Sequence, residues 1–210
     1  MTRAGTSTSP RRIPRQKRGE RRVAALVSAA ASEFALVGYD AATMSAIAKR
    51  AGAPIGSLYQ FFPNKESLAR ALRTQYASDY EQAWAPLVTQ ASALKLEQLV
   101  KRLVELMVEF VQSHPAFLPL SEAPPKTRIP AARERHRLSI MSLLRSHSPR
   151  LSQNKAMTIA TVVMQINRGM MALYAQAEAE DRGWIIEEFN AVLNAYLQAR
   201  LPGRERSPQV

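Results

Sequence analysis

The chain has 210 residues, no cysteine and a formal net charge of +12. Without cysteine, disulfides and thiolate metal sites are excluded; no apolar run approaches the ~20 residues of a membrane span, and none follows the basic N-terminus as in a signal peptide. The charge is uneven: residues 1–73 hold 13 Lys/Arg against 4 Asp/Glu, a balance that suits a polyanion there, either nucleic acid or an anionic membrane surface.

Residues 1–18 are rich in Ser, Thr, Pro and Arg and lack apolar periodicity, which predicts a disordered basic arm. On DNA, its Arg11, Arg12, Arg15, Lys17 and Arg18 would meet phosphates or a narrow minor groove; a solvated tail that only raises solubility is the plainer reading. Val23, Leu26, Val27, Ala30 and Phe34 recur at spacings of three and four, predicting a helix over about 20–37 that stops at Gly38. Two short helices follow. Thr43 is a good N-cap for the first, and Arg50-Ala51-Gly52 ends it, because glycine tolerates the left-handed conformation. Pro54 suits the first turn of the second, over about 54–61. Asn64 caps a longer helix with Glu66 in its first turn. Leu68, Leu72, Tyr76 and Tyr80 step by four along it, and Pro86 marks its end or a kink.

The rest of the chain predicts helices over about 92–113, 131–147, 153–179 and 184–200. Five prolines between 115 and 130 leave room for at most a short helix around 116–120. The first of these carries apolar residues around most of its circumference and should be buried among neighbours. With no strand alternation and no internal repeat, the chain reads as all-α with about nine helices.

A short helix, a glycine turn and a second short helix make a helix-turn-helix, able to lay its second helix in the DNA major groove. The stretch TMSAIAKRAGAPIGSLYQFFPNK, residues 43–65, closely resembles the DNA-binding motif of the TetR family. Thr43, Ile47-Ala48, Ala51-Gly52, Gly56-Ser57-Leu58-Tyr59, Phe61-Phe62-Pro63, Lys65-Glu66 and Leu68 stand at that family's spacing. The resemblance covers about residues 18–70; beyond it, chain length and helical pattern agree. It implies a homeodomain-like three-helix head and a helical C-terminal domain. The division expected is an arm at 1–18, a DNA-binding head at 19–66, a ligand-binding and dimerisation domain at 67–202 and a polar tail at 203–210. It also implies a double-stranded DNA operator, a small-molecule effector, a homodimer through the last two helices, and a cytoplasmic, nucleoid-bound regulator with no membrane partner. Thr43, Tyr59 and Lys65 would be phosphate-contacting positions.

The groove-facing chemistry is sparse. Where the family often carries Ser-Lys, this chain has Pro54-Ile55. Ile55 offers apolar contact only, Gly56 lets the backbone approach DNA closely, and Ser57 and Gln60 remain as polar readers, with Gln60 suited to adenine. Sequence preference would then lean on DNA shape, or on Thr43, Ser45 and the arm. Lys65 opposes its helix dipole, a poor choice for stability alone, whereas a phosphate would attract both the ammonium and the positive helix end. Ile47, Leu58, Phe61 and Phe62 read as core.

His114, His136 and His147 show no zinc spacing, and His136, among charged residues, should be exposed. No nucleophile motif, phosphate loop or paired carboxylates stand out, so neither catalysis nor a cofactor is expected. Methionine suits adaptable pockets, and an apolar ligand site is expected around Trp84, Met107, Phe110, Phe117, Met141 and Met164. Gln165, Asn167 and Arg168 supply polar groups to it or lie on a dimer surface; Gln165 and Arg168 are counted with the site. The leading expectation is a repressor released from a palindromic operator by a small apolar ligand. The other readings are a ligand-independent or activating regulator of the same fold, a helical-bundle enzyme and a membrane-surface protein.

Overall fold

The computed structural model describes residues 15–124 and 127–202. Among them are nine helices and no strand: α1 Arg15–Ala41, α2 Met44–Arg50, α3 Ile55–Phe61, α4 Lys65–Gln90, α5 Leu96–Ser113, α6 Phe117–Glu122, α7 Pro130–His147, α8 Gln153–Gln176 and α9 Arg182–Arg200. Arg15, Lys17 and Arg18, expected in the arm, belong to α1; Arg11, Arg12 and the 203–210 tail lie outside the described residues.

Two buried clusters organise the chain. The first is the head: Leu26, Ala30 and Phe34 of α1 close on Ile47 of α2, Leu58 of α3 and Leu68 and Leu72 of α4, all essentially without solvent contact. The second gathers Trp84 and Leu87 of α4 with Leu99 and Leu103 of α5, Ile140 and Leu143 of α7, Val163 and Met170 of α8 and Leu193 of α9. Burial of side chains this large is the main driving force for both. The clusters divide within α4, whose first half packs into the head and whose second half packs into the body. Tyr80 and Phe117 pack against both.

Three features depart from the sequence reading. Gly38 does interrupt α1, at φ 77° and ψ 171°, but the chain resumes a helical turn to Ala41. Pro86 neither ends nor caps α4, which runs through it to Gln90. A proline there forfeits one helical hydrogen bond, and the burial of Trp84 and Leu87 on either side holds the helix across the gap. Finally, part of Lys17–Ala41 is long and apolar enough to cross a membrane by length and composition. Its apolar side is instead the inner wall of the head, where Leu26, Ala30 and Phe34 are fully buried.

Candidate nucleic-acid interface

Capping chemistry sets the angle between α2 and α3. Thr43 stands at the N-cap of α2 with extended backbone, and its Oγ1 accepts from the Ala46 amide at 3.1 Å. At the other end Gly52 adopts φ 61°. The Gly52 amide donates to the Lys49 carbonyl at 3.1 Å and the Ala53 amide to the Ala48 carbonyl at 3.0 Å, the bond pair of a Schellman turn. Pro54 then sits one residue before α3, as its N-cap, and its carbonyl accepts from Ser57 at 2.9 Å and Leu58 at 3.3 Å.

With Ile47, Ala48 and Leu58 buried beneath, the outer side of the motif is what remains. Thr43 and Ser45 are exposed around the start of α2; Pro54, Ile55, Gly56, Tyr59 and Gln60 are exposed along α3, and Ser57 is half-buried. Eight of the nine expected DNA contacts are therefore open to solvent at least in part. Phe62 is buried as expected, but Phe61 is not core: it is 38% exposed, because the extended backbone at Phe62 turns the chain away from α3.

Lys65 behaves differently from the expectation. Its Nζ donates to the carbonyls of Tyr39 at 2.7 Å, Asp40 at 2.8 Å and Ala42 at 2.9 Å, and lies 4.6 Å from the centre of the Tyr39 ring. An ammonium has three donors, so all are engaged. Against α4 alone the ammonium opposes the helix dipole. The same charge sits at the C-terminal end of α1, where a cation is favourable. Lys65 thus fastens the start of α4 to the α1–α2 junction.

Two arginines, one within the motif and one outside it, also bear on its placement. Arg50, at the end of α2, holds Oε2 of the buried Glu33 through both Nε and a terminal nitrogen at 2.9 Å, which pins α2 on α1. Arg22 of α1 donates to Ser57 Oγ on α3 at 3.3 Å. Sequence reading missed Arg22, since nothing local links positions 35 residues apart.

In the body, Trp84, Met107 and Phe110 are buried, and Phe117, Met141 and Met164 are partly buried against the clusters. Gln165 and Arg168 are exposed on α8, on the side away from Val163, Met170 and Tyr174, and so do not line the protomer interior. Asn167, between them, turns inward: it is 3% exposed, with neither amide atom hydrogen-bonded. His136 is not an exposed residue of a charged helix start. It packs edge-on against Tyr80 and Trp84, with ring centres 4.9 Å and 5.2 Å away, and burial lowers its pKa from 6.5 to about 4 against the opposing pull of Glu81. A cleft of about 330 Å³ opens between α4 and α5, lined by Leu87, Leu106 and Phe110 but also by Asp79, Arg102, Glu109 and His114. Of the expected ligand residues it includes Phe110. His114 Nε2 and Asp79 Oδ2 meet there at 3.5 Å, and among the described residues no third metal-ligating side chain joins them.

A capped pair of short helices presenting one exposed face, seated on a helical body, defines a DNA-binding transcriptional regulator of the helix-turn-helix class. Two family profiles agree. "Bacterial regulatory proteins, tetR family" matches residues 26–72, and "Tetracyclin repressor-like, C-terminal domain" matches residues 95–197. The chain belongs to the TetR family of transcriptional regulators. No curated protein matches it in sequence. Among solved structures, a TetR-family regulator from Streptomyces coelicolor is 24% identical with a TM-score of 0.65, over 86% of this chain and 99% of that one. One from Pectobacterium atrosepticum is 18% identical with a TM-score of 0.68, over 92% and 100%. A gamma-butyrolactone receptor described as ArpA-like is 23% identical with a TM-score of 0.53, over 86% and 100%. At these identities the likeness concerns the fold.

Proposed function

We propose that this regulator is a repressor: a homodimer that binds a near-palindromic operator in the cytoplasm and leaves it when a small, mainly apolar ligand enters the body. The observation that carries the reading is α4, one 26-residue helix whose first half is core to the head and whose second half is core to the body. A head of residues 19–66, its core completed by Leu68 and Leu72 of α4, and a body of residues 67–202 then share a lever. A ligand that favours one setting of the body favours one placement of α3, provided it binds that setting better than the DNA-competent one.

Thr43, Ser45, Pro54, Ile55, Gly56, Ser57, Tyr59 and Gln60 form the contact surface in this reading, with Thr43 and Tyr59 on phosphates. Lys65 acts behind them as a fastener. The ligand enters between the clusters near Trp84, Met107, Phe110, Phe117, Met141 and Met164. The buried Asn167 amide, costly to leave unpaired, supports a ligand with one polar group on an apolar frame. A gamma-butyrolactone receptor is among the fold neighbours. The dimer is supported by apolar side chains left open on the last two helices, Val162 and Leu173 on α8 and Trp184 and Val192 on α9.

The experiment is a gel-shift series with the full chain on duplexes drawn from a randomised pool. Salt-sensitive binding to a two-fold symmetric site, weakened by replacing Tyr59 and Gln60 with alanine, is the expected result. Unaltered affinity of that double variant would remove α3 from the interface. Failure of every apolar ligand tried to release the duplex would leave a DNA-binding regulator without the proposed switch.

A further inference from the structure

The exposed face of α3 is poor in hydrogen-bonding side chains: Ile55 and Gly56 have none to offer, and Gln60 supplies the one amide. Base edges in the major groove are told apart chiefly by donors and acceptors, so a face of this kind reads little by itself. The fold brings a further group to it. Resting on the reading that α3 enters DNA, we propose that Arg22 of α1 is a specificity-determining residue of this regulator, its guanidinium reading a guanine in the major groove from a perch on Ser57.

The geometry is particular to Arg22. One terminal nitrogen donates to Ser57 Oγ at 3.3 Å, which places the planar group alongside α3 with its other donors open to solvent. Ser57 and Gln60 are three residues apart on a helix and share a face, so Arg22, Ser57 and Gln60 form one polar row. A guanidinium carries five donors in a fixed fork; Ser57 takes one, and the rest can engage O6 and N7 of guanine.

The charge is also available. Four other arginines are neutralised by carboxylates: Arg50 by Glu33 at 2.9 Å, Arg102 by Glu105 at 2.8 Å, Arg135 by Glu81 at 2.6 Å and Arg137 by Glu134 at 2.6 Å. Among the described residues Arg22 has no such partner, and its hydrogen bond goes to a neutral hydroxyl. A tether to the recognition helix favours a base over a phosphate. Held there, the planar fork is pre-organised and gives up less side-chain freedom on pairing with a base edge.

The test is selection from a randomised duplex pool with the full chain, its Arg22→Ala and Arg22→Lys variants, and Ser57→Ala. Salt titration on the wild-type duplex follows. The wild-type chain should select a guanine in each half-site. Both Arg22 variants should lose that preference, worth about 5- to 150-fold for a good bidentate pair. Arg22→Lys keeps the salt slope, which separates lost base reading from lost charge, and Ser57→Ala weakens the same preference by loosening the perch. Circular dichroism melts confirm that these exposed-site variants fold. The inference is overturned if Arg22→Ala keeps every base preference, whether affinity is unchanged or falls uniformly with a salt slope smaller by about one, the mark of a phosphate contact. A wild-type chain that selects no duplex overturns the DNA reading itself, a different outcome from selection that ignores Arg22.

Discussion

Lys65 shows how a residue's role follows from what its donors already hold. Three carbonyls surround its ammonium, two of them partly buried, and the Tyr39 ring covers it. Replacing Lys65 with methionine leaves those carbonyls without a partner at the end of α1, so the head should lose about 2–3 kcal/mol in urea unfolding, the cost of charged hydrogen bonds removed from one side. Operator affinity should fall through misplacement of α3, with the salt slope unchanged. A slope reduced by about one would return Lys65 to the phosphates. His136 makes a second case at this scale. Packed on Tyr80 and Trp84, it is held neutral, with a pKa near 4 in place of 6.5. The unfolded chain then binds the extra proton between those values, so stability is fully present above pH 6.5 and declines as pH falls toward 4. The contribution is at most about 3 kcal/mol for a shift of this size. Unfolding of His136→Gln, followed from pH 7 to 4, should show a correspondingly shallower acid loss than the parent; identical slopes would mean that the imidazole does not titrate across folding.

At the scale of elements, α1 depends on one backbone position. Gly38 at φ 77° and ψ 171° occupies a region that is nearly closed to other residues, yet an added Cβ would meet nothing within 4 Å. The cost of Gly38→Ala is therefore conformational, about 1–3 kcal/mol. Its urea midpoint should fall although the site is open to solvent, and an unshifted midpoint would show that the kink can be straightened. Gly52 was readable as a stop, and Gly38 as a break though not as the helix end, because glycine is the residue that such backbone angles select, and Thr43 and Asn64 were readable as caps for a similarly local reason: each side-chain oxygen reaches an amide three residues on. Periodicity likewise disclosed the inward face of α1, where Leu26, Val27, Ala30 and Phe34 are buried. What escaped was decided at a distance. Pro86 was read as a break because its local cost is real, while the burial that outweighs it comes from α5 and α7. The partners of Lys65 lie 23 to 26 residues away and that of Arg22 lies 35 away. His136 sits among charges in sequence and among aromatic rings from α4 in space. Helix existence is a local matter; a long polar side chain's partner is a property of the assembled head.

At the scale of the whole molecule, the apolar surface left open on α8 and α9 sets the last expectation. Leu173 is 53% exposed, Trp184 63% and Val192 47%, all on the final two helices, beside a stripe that is core through Met170, Tyr174, Leu193 and Leu197. Helices with apolar side chains open beyond their buried stripe have a second partner to find, and a two-fold pairing with the same helices of another copy covers both at once. In the proposed dimer such pairing would also serve the head, since two α3 helices related by a two-fold axis meet major-groove faces about 34–36 Å apart, or a multiple of that spacing. A charge buried in that contact would be left unpaired, so Leu173→Glu combined with Val192→Glu should shift the chain from dimer to monomer in light scattering at micromolar concentration. The head, whose cluster contains neither residue, should keep its fold. Affinity for a full two-fold site should drop by orders of magnitude, toward the weak, strongly salt-dependent binding of one head alone, because the second contact no longer comes at high effective concentration. A double variant that stays dimeric and keeps its affinity would move the interface off α8 and α9, and with it the spacing argument that joins this body to a palindromic site.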